Sequence, residues 1–205
     1  MIGIPVRAAA MVALPLLLGG CAAWQPASLP PSVAQAARSF HPSLAATGRL
    51  SVRYEDRSGP QALHGSFQWN QVPDETHITL LSPLGQTVAR IAVTPAGAVL
   101  EQASRPPLDA GNADALTAQA LGWPLPVAGL RDWLQGFGSD AQGRSFVASP
   151  QSGTFTTADG WRLRYSTWQD DDHGSARPRR IDLERDTAEA GAVAIRIVID
   201  TWHPL

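Results

Sequence analysis

The feature that most restricts the fold of this chain is a regular alternation of apolar and polar residues. The clearest run covers residues 192–202, where an apolar β-branched residue stands at every second position: Val193, Ile195, Ile197 and Ile199. Successive side chains of a strand point to opposite faces, so this run predicts a strand with one buried face and one polar face.

The same alternation recurs along most of the chain, interrupted by glycine and proline turn signals. Leu50 and Val52 share one face of a first strand, and Phe67 and Trp69 share one face of a second, with a turn at residues 57–60 between them. Short connections of this kind join antiparallel neighbours. Further strands are predicted at residues 77–81, 87–94, 98–102, 145–148, 153–157, 161–165 and 180–184.

Helical patterns interrupt or precede the strands in three places. Asn112 can N-cap one helix that Gly122 ends, and a second begins at Pro126, carries an apolar stripe that includes Phe137, and ends among residues 136–138. A short helix is also predicted at residues 32–40. The fold class is therefore mainly β with a few helices: an incomplete, half-open antiparallel β-barrel of about ten or eleven strands, lidded by short helices.

The N-terminus reads as a targeting signal. Residues 8–18 form an apolar run too short to span a bilayer, and Gly19 and Gly20 precede Cys21, the only cysteine of the chain. We predict a lipoprotein signal peptide at residues 1–20, a lipidated N-terminus and tether at 21–31, and one globular domain at 32–205. The alternative is an ordinary secretory signal followed by an unmodified Cys21.

Composition excludes several function classes. The net charge is −2 with scattered charges, which argues against a nucleic-acid partner. All 16 basic residues are arginine, so a phosphate-binding loop of the G-x-x-x-x-G-K-[ST] type and lysine chemistry are absent. Neither G-x-S-x-G nor H-E-x-x-H occurs, and residues 170–173 (DDDH) fit a solvated loop better than a metal site. We expect no enzyme, no cofactor and no bound metal.

Seven tryptophans leave two interpretations open. Large aromatic rings either fill the core of a barrel or line an apolar ligand pocket, with their indole N–H groups hydrogen-bonded. Composition alone favours the core.

Several segments, in one order along the chain, resemble the LolB family of outer-membrane lipoprotein receptors. They are Thr47-Gly48-Arg49-Leu50, Phe67-Gln68-Trp69, Leu81-Ser82-Pro83-Leu84-Gly85, Leu121-Gly122-Trp123-Pro124-Leu125-Pro126, Leu130-Arg131-Asp132-Trp133-Leu134-Gln135-Gly136 and Trp161. The resemblance implies the LolA/LolB-like half-barrel. It also implies a protein that accepts lipoproteins from the periplasmic carrier LolA in an apolar cavity and inserts them into the outer membrane without nucleotide hydrolysis.

The resemblance further implies the site residues and partners. An acyl-binding cavity would be lined by Leu50, Phe67, Trp69, Leu130, Trp133, Leu134 and Trp161. Leu84, between Pro83 and Gly85, would form a protruding membrane-delivery loop; alternatively, Leu84 folds back to cap the barrel. The partners would be LolA, the acyl chains of cargo lipoproteins and outer-membrane phospholipid. The protein would be a monomer, anchored by lipid at Cys21 and facing the periplasm. A competing hypothesis is a lipid-anchored scaffolding protein of the envelope, which would bind no acyl ligand.

Overall fold

Ten antiparallel strands in a single sheet form the framework of the protein. The computed structural model describes residues 38–56, 58–170 and 175–205. Its strands are β1 (Leu44–Asp56), β2 (Gly59–Val72), β3 (Glu75–Leu81), β4 (Thr87–Thr94), β5 (Gly97–Gln102), β6 (Leu108–Ala110), β7 (Phe137–Ser139), β8 (Ser145–Val147), β9 (Thr154–Thr156), β10 (Arg162–Asp170), β11 (Ala176–Thr187) and β12 (Gly191–Pro204). Two helices, α1 (Ala113–Leu121) and α2 (Val127–Trp133), lie between β6 and β7.

The sheet is open. Its strand order is β6-β5-β4-β3-β2-β1-β12-β11-β10-β9, and the two edge strands β6 and β9 do not pair with each other. Strands β7 and β8 form a separate two-stranded sheet. The predicted half-open antiparallel barrel with short helices is confirmed.

Alternation along the strands decides which face of the sheet is buried. The four branched residues of β12 named above are at most 6% exposed, whereas Arg196 between them and Asp200 after them are exposed. On the neighbouring strand β1, Val52 is buried opposite Ile195. The apolar side chains of both strands therefore share one inner face, which is the barrel interior.

The ends of α1 follow from local chemistry. The Asn112 side chain accepts a hydrogen bond from the backbone N–H of Ala115 at 2.8 Å, and Gly122 adopts the left-handed conformation at φ +85°. The predicted cap residues of α1 are thus confirmed, as is the start of α2 after Pro126. Thr117 joins the two helices, because its hydroxyl accepts a hydrogen bond from the backbone N–H of Leu125 at 2.8 Å.

Some predicted elements differ from the structure. Strands β6 and β7 were not expected, and Phe137 lies in β7 instead of on the apolar stripe of α2. β11 begins at Ala176, four residues before the predicted start, and runs through Pro178. Residues 38–40 are not helical. The rest of the predicted helix at 32–40, the signal, Cys21, the tether and residues 171–173 lie outside the described residues.

Candidate functional site

A small apolar cavity lies between the inner face of the sheet and the segment around α2. We call residues 125–134 the lid segment. Every lining residue is apolar; strands β1–β4 and β12 contribute Leu50, Val52, Phe67, Trp69, Ile78, Leu80, Ile91, Ile195 and Ile197, and the lid segment contributes Leu125, Pro126, Val127, Leu130 and Leu134. The cavity measures about 60 Å³. That is less than half the roughly 150 Å³ at which an engineered apolar cavity takes up benzene, so this conformation is closed.

Five of the seven residues expected in the cavity line it, namely Leu50, Phe67, Trp69, Leu130 and Leu134. Trp133 and Trp161 are also buried, at 6% and 1% exposure, but lie outside this lining. The backbone carbonyl of Trp133 accepts a hydrogen bond from the Tyr165 hydroxyl at 3.0 Å, and the backbone N–H of Trp161 donates to the Thr157 hydroxyl at 3.0 Å. In the closed conformation these two tryptophans pack within the core.

Sequence reasoning missed nine lining residues. The six on β1, β3, β4 and β12 stand at alternate positions of predicted strands, so the alternation could have identified them once the strands were aligned. Leu125 and Pro126 give no such signal, because they belong to the turn into α2. Val127 begins α2 and shares its predicted apolar stripe with Leu130 and Leu134.

Trp69 is held at the cavity by a buried polar network. Its indole N–H donates to the Gln71 side-chain oxygen at 2.9 Å, and the Gln71 amide donates to the carbonyl of Pro42 at 3.3 Å. The side chain of Gln135, which directly follows the lid segment, accepts a hydrogen bond from the backbone N–H of His41 at 2.9 Å and donates one to the His41 carbonyl at 3.0 Å. Residues 41–42 therefore connect the cavity wall to the lid while the indole N–H is satisfied.

One arginine of the lid segment, Arg131, binds the sheet at the β2–β3 hairpin. Arg131, on α2, donates to the Thr76 hydroxyl at 2.9 Å and to the carbonyls of Val72 and Pro73 at 3.0 and 3.1 Å. All three acceptors belong to the β2–β3 hairpin. These bonds bridge the lid segment and the sheet at the rim of the cavity.

A second arginine, Arg38, binds the segment that precedes β1 to other parts of the fold. Arg38 donates to the carbonyls of Ala176 and Ala148, both at 2.7 Å, and its guanidinium carbon lies 5.4 Å from the ring centres of both Phe137 and Trp168. Burial lowers the pKa of Arg38. The contacts tie residue 38 to β11 and to the β7–β8 hairpin.

The loop at residues 82–86, which we call the Leu84 loop, projects from the sheet. The Gly85 N–H donates to the Ser82 carbonyl at 2.9 Å, and Gly85 has φ +81°, which glycine adopts without strain. This turn leaves the Leu84 side chain 88% exposed. The alternative in which Leu84 folds back onto the barrel is therefore wrong.

Metal-binding clusters and membrane-spanning helices are both absent from residues 38–56, 58–170 and 175–205. No three His, Cys, Asp or Glu side chains come together there in a way that could hold a metal ion. No helix in that part of the chain is long and apolar enough to cross a membrane.

Comparison with known proteins gives consistent matches. The family model for outer membrane lipoprotein LolB matches residues 43–202. An outer-membrane lipoprotein LolB of Cupriavidus necator is 40% identical over 196 residues, which cover 93% of each chain. One from Cupriavidus pinatubonensis is 39% identical over 191 residues, covering 91% of this chain and 89% of the relative. A crystal structure of a LolA superfamily protein from Nitrosomonas europaea aligns with a TM-score of 0.43 and 8% identity, over 78% of this chain and 86% of that one.

Proposed function

Because the chain belongs to the LolB family of outer-membrane lipoproteins, we propose that it accepts lipoproteins from the periplasmic carrier LolA and inserts them into the outer membrane. The observation that carries the proposal is the wholly apolar cavity beneath the lid segment. Each methylene that leaves water contributes about 0.8 kcal/mol, so an apolar cavity can hold the acyl chains of a cargo lipoprotein without covalent chemistry or nucleotide hydrolysis.

Cargo entry requires the lid segment to move. A space of about 60 Å³ cannot contain an acyl chain, so the lid segment would have to separate from the inner face of the sheet. Lifting the lid would break the Arg131 bonds to the β2–β3 hairpin and separate Leu130 and Leu134 from Trp69. Trp133 lies on α2 and would move with it, whereas Trp161 would remain in the core.

Release into the membrane would use the Leu84 loop. A leucine that becomes buried contributes about 1.5 to 3 kcal/mol, which is enough to perturb a leaflet and too little to anchor a protein. We assign the anchor to acylated Cys21, since several buried acyl chains hold a protein far more strongly. Pro83 and Gly85 would keep Leu84 at the tip of the turn.

The experiment that tests this function follows a fluorescently labelled lipoprotein from LolA into phospholipid vesicles, with and without the receptor. Leu130→Glu should abolish uptake from LolA because a charge enters the apolar cavity. Leu84→Glu should retain uptake and lose delivery. Val147→Glu, at a 51% exposed apolar position on β8, serves as the matched control.

Two results would contradict the proposal. Delivery at the same rate without the receptor would remove the transfer function. A protein that takes up no labelled lipoprotein, and carries no lipid when purified gently as Cys21→Ala, would instead favour the envelope scaffold.

A further inference from the structure

A groove on the outer face of the sheet adjoins the Leu84 loop. It has a volume of about 460 Å³, and Pro83 of the loop is one of its walls. Basic side chains line it and no carboxylate does: Arg49, His64 and Arg196 surround the small or apolar residues Leu50, Ser51, Gly65, Ser66 and Val198. The groove is thus a local basic surface on a chain whose net charge is −2.

The arginines of the groove keep donors for a further partner. Arg49 uses Nε and one Nη to bind Asp200, and Arg196 uses Nε to bind Asp182. Their remaining Nη groups, and the His64 ring, make no hydrogen bond with the part of the chain that the structure describes. The side chains of Arg49 and Arg196 are 63% and 52% exposed, so a ligand can reach them.

Exposed apolar residues accompany the groove at the same rim. Leu84 is 88% exposed, and Val88, two residues after the Leu84 loop, is 46% exposed. A basic groove beside exposed leucine and valine side chains has the composition of a surface that meets a lipid interface.

We propose that this groove binds the phosphate groups of anionic phospholipids while the Leu84 loop enters the bilayer, and so orients the receptor during delivery. The inference rests on the proposed membrane role of Leu84. Guanidinium groups suit phosphate oxygens because their planar donors can bind two of them at once. The chain as a whole is acidic, so without this surface it would not favour an anionic bilayer in any one orientation.

The test measures binding of the Cys21→Ala protein to vesicles by flotation, since the lipid anchor would hide a weaker contact. Vesicles of phosphatidylcholine alone are compared with vesicles containing phosphatidylglycerol, at low and high salt. We expect stronger binding to the anionic vesicles, weakened by salt. Arg49→Gln and Arg196→Gln should each reduce binding to anionic vesicles about fivefold, the equivalent of about 1 kcal/mol per charge, and leave binding to neutral vesicles unchanged.

The controls separate charge, fold and function. Arg196→Lys keeps the charge and should retain most of the binding. Arg144→Gln removes an arginine that is likewise paired with a carboxylate, but on the β7–β8 hairpin, and should have no effect. Leu84→Glu should weaken binding to both kinds of vesicle.

Two results would overturn the inference. One is equal loss of anionic-vesicle binding in Arg144→Gln. The other is unchanged binding of the groove variants to anionic vesicles. If the same variants take up cargo from LolA more slowly, the groove would instead be assigned to an acidic protein surface. The vesicle measurement contains no cargo, so its failure differs from failure of the transfer function, which the labelled-lipoprotein assay detects.

Discussion

Replacing Arg131 with alanine should open the cavity. The guanidinium makes three hydrogen bonds of 2.9 to 3.1 Å to neutral acceptors of the β2–β3 hairpin. Each partly exposed hydrogen bond contributes about 0.5 to 1 kcal/mol net to stability. Loss of all three therefore destabilises the closed conformation by about 2 kcal/mol. Since 1.4 kcal/mol is a factor of ten, the ratio of open to closed molecules should rise about 30-fold.

An acyl probe that binds only the open form reports this change directly. Its apparent dissociation constant equals the intrinsic value divided by the open fraction, so affinity should rise by up to about 30-fold while the closed form still predominates. The assay is titration with a fluorescent long-chain fatty acid. Arg131→Lys keeps the charge but cannot span the three acceptors and should give an intermediate affinity, whereas Arg144→Ala should bind like the parent. If Arg131→Ala lowers the melting temperature but leaves probe affinity unchanged, the arginine stabilises the fold without controlling the lid.

Three further predictions concern stability and the anchor. Burial tends to raise the pKa of Asp182, but hydrogen bonds from Arg180 and Arg196 lower it more, so the ionised carboxylate stabilises the fold at neutral pH. Asp182→Asn should therefore lower the free energy of unfolding, measured in urea at pH 7, by about 2 kcal/mol. The difference between variant and parent should shrink below about pH 4, as the parent carboxylate becomes protonated. A difference that stays constant with pH would show that the charge of Asp182 is not the cause. Trp69→Ala should lower the free energy of unfolding by about 3 to 5 kcal/mol, and a loss under 1 kcal/mol would show that the indole packs poorly. Cys21→Ala should still accept cargo from LolA in a pull-down assay while losing stable membrane attachment, and loss of uptake would assign the anchor a direct role.

Much of the fold could be predicted because its determinants are local. Alternation identified β1, β2 and β12, and the Asn112 side chain and the backbone freedom of Gly122 fixed the ends of α1. Strands β6 and β7 contain three residues each, which is too short for an alternating pattern to stand out. β6 forms because the longer β5 offers free backbone groups, and β7 forms because it pairs with the equally short β8.

The candidate site was predicted less completely because it depends on contacts between distant parts of the chain. Leu50 and Phe67 could be named from their strands and the family resemblance, but Ile195 joins them only because β12 pairs with β1. The Arg131 contacts have no sequence signature, since two of the three acceptors are backbone carbonyls that every residue carries. The sequence likewise cannot show that Trp133 lies outside the cavity lining, because this depends on the orientation in which α2 packs against the sheet.

The pairing of β1 with β12 has a consequence for how the protein folds. The first and last strands of the sheet are neighbours at its centre, with Leu44 opposite Pro204. The pairing of β1 with β12 joins residues far apart in the sequence and so gives the fold a high contact order. Such topologies fold slowly, because a long loop must close before the two strands can pair. Until β12 arrives, one edge of β1 remains unpaired and able to recruit another chain. We therefore expect the newly exported protein to be most vulnerable to aggregation in the interval before its last strand is in place.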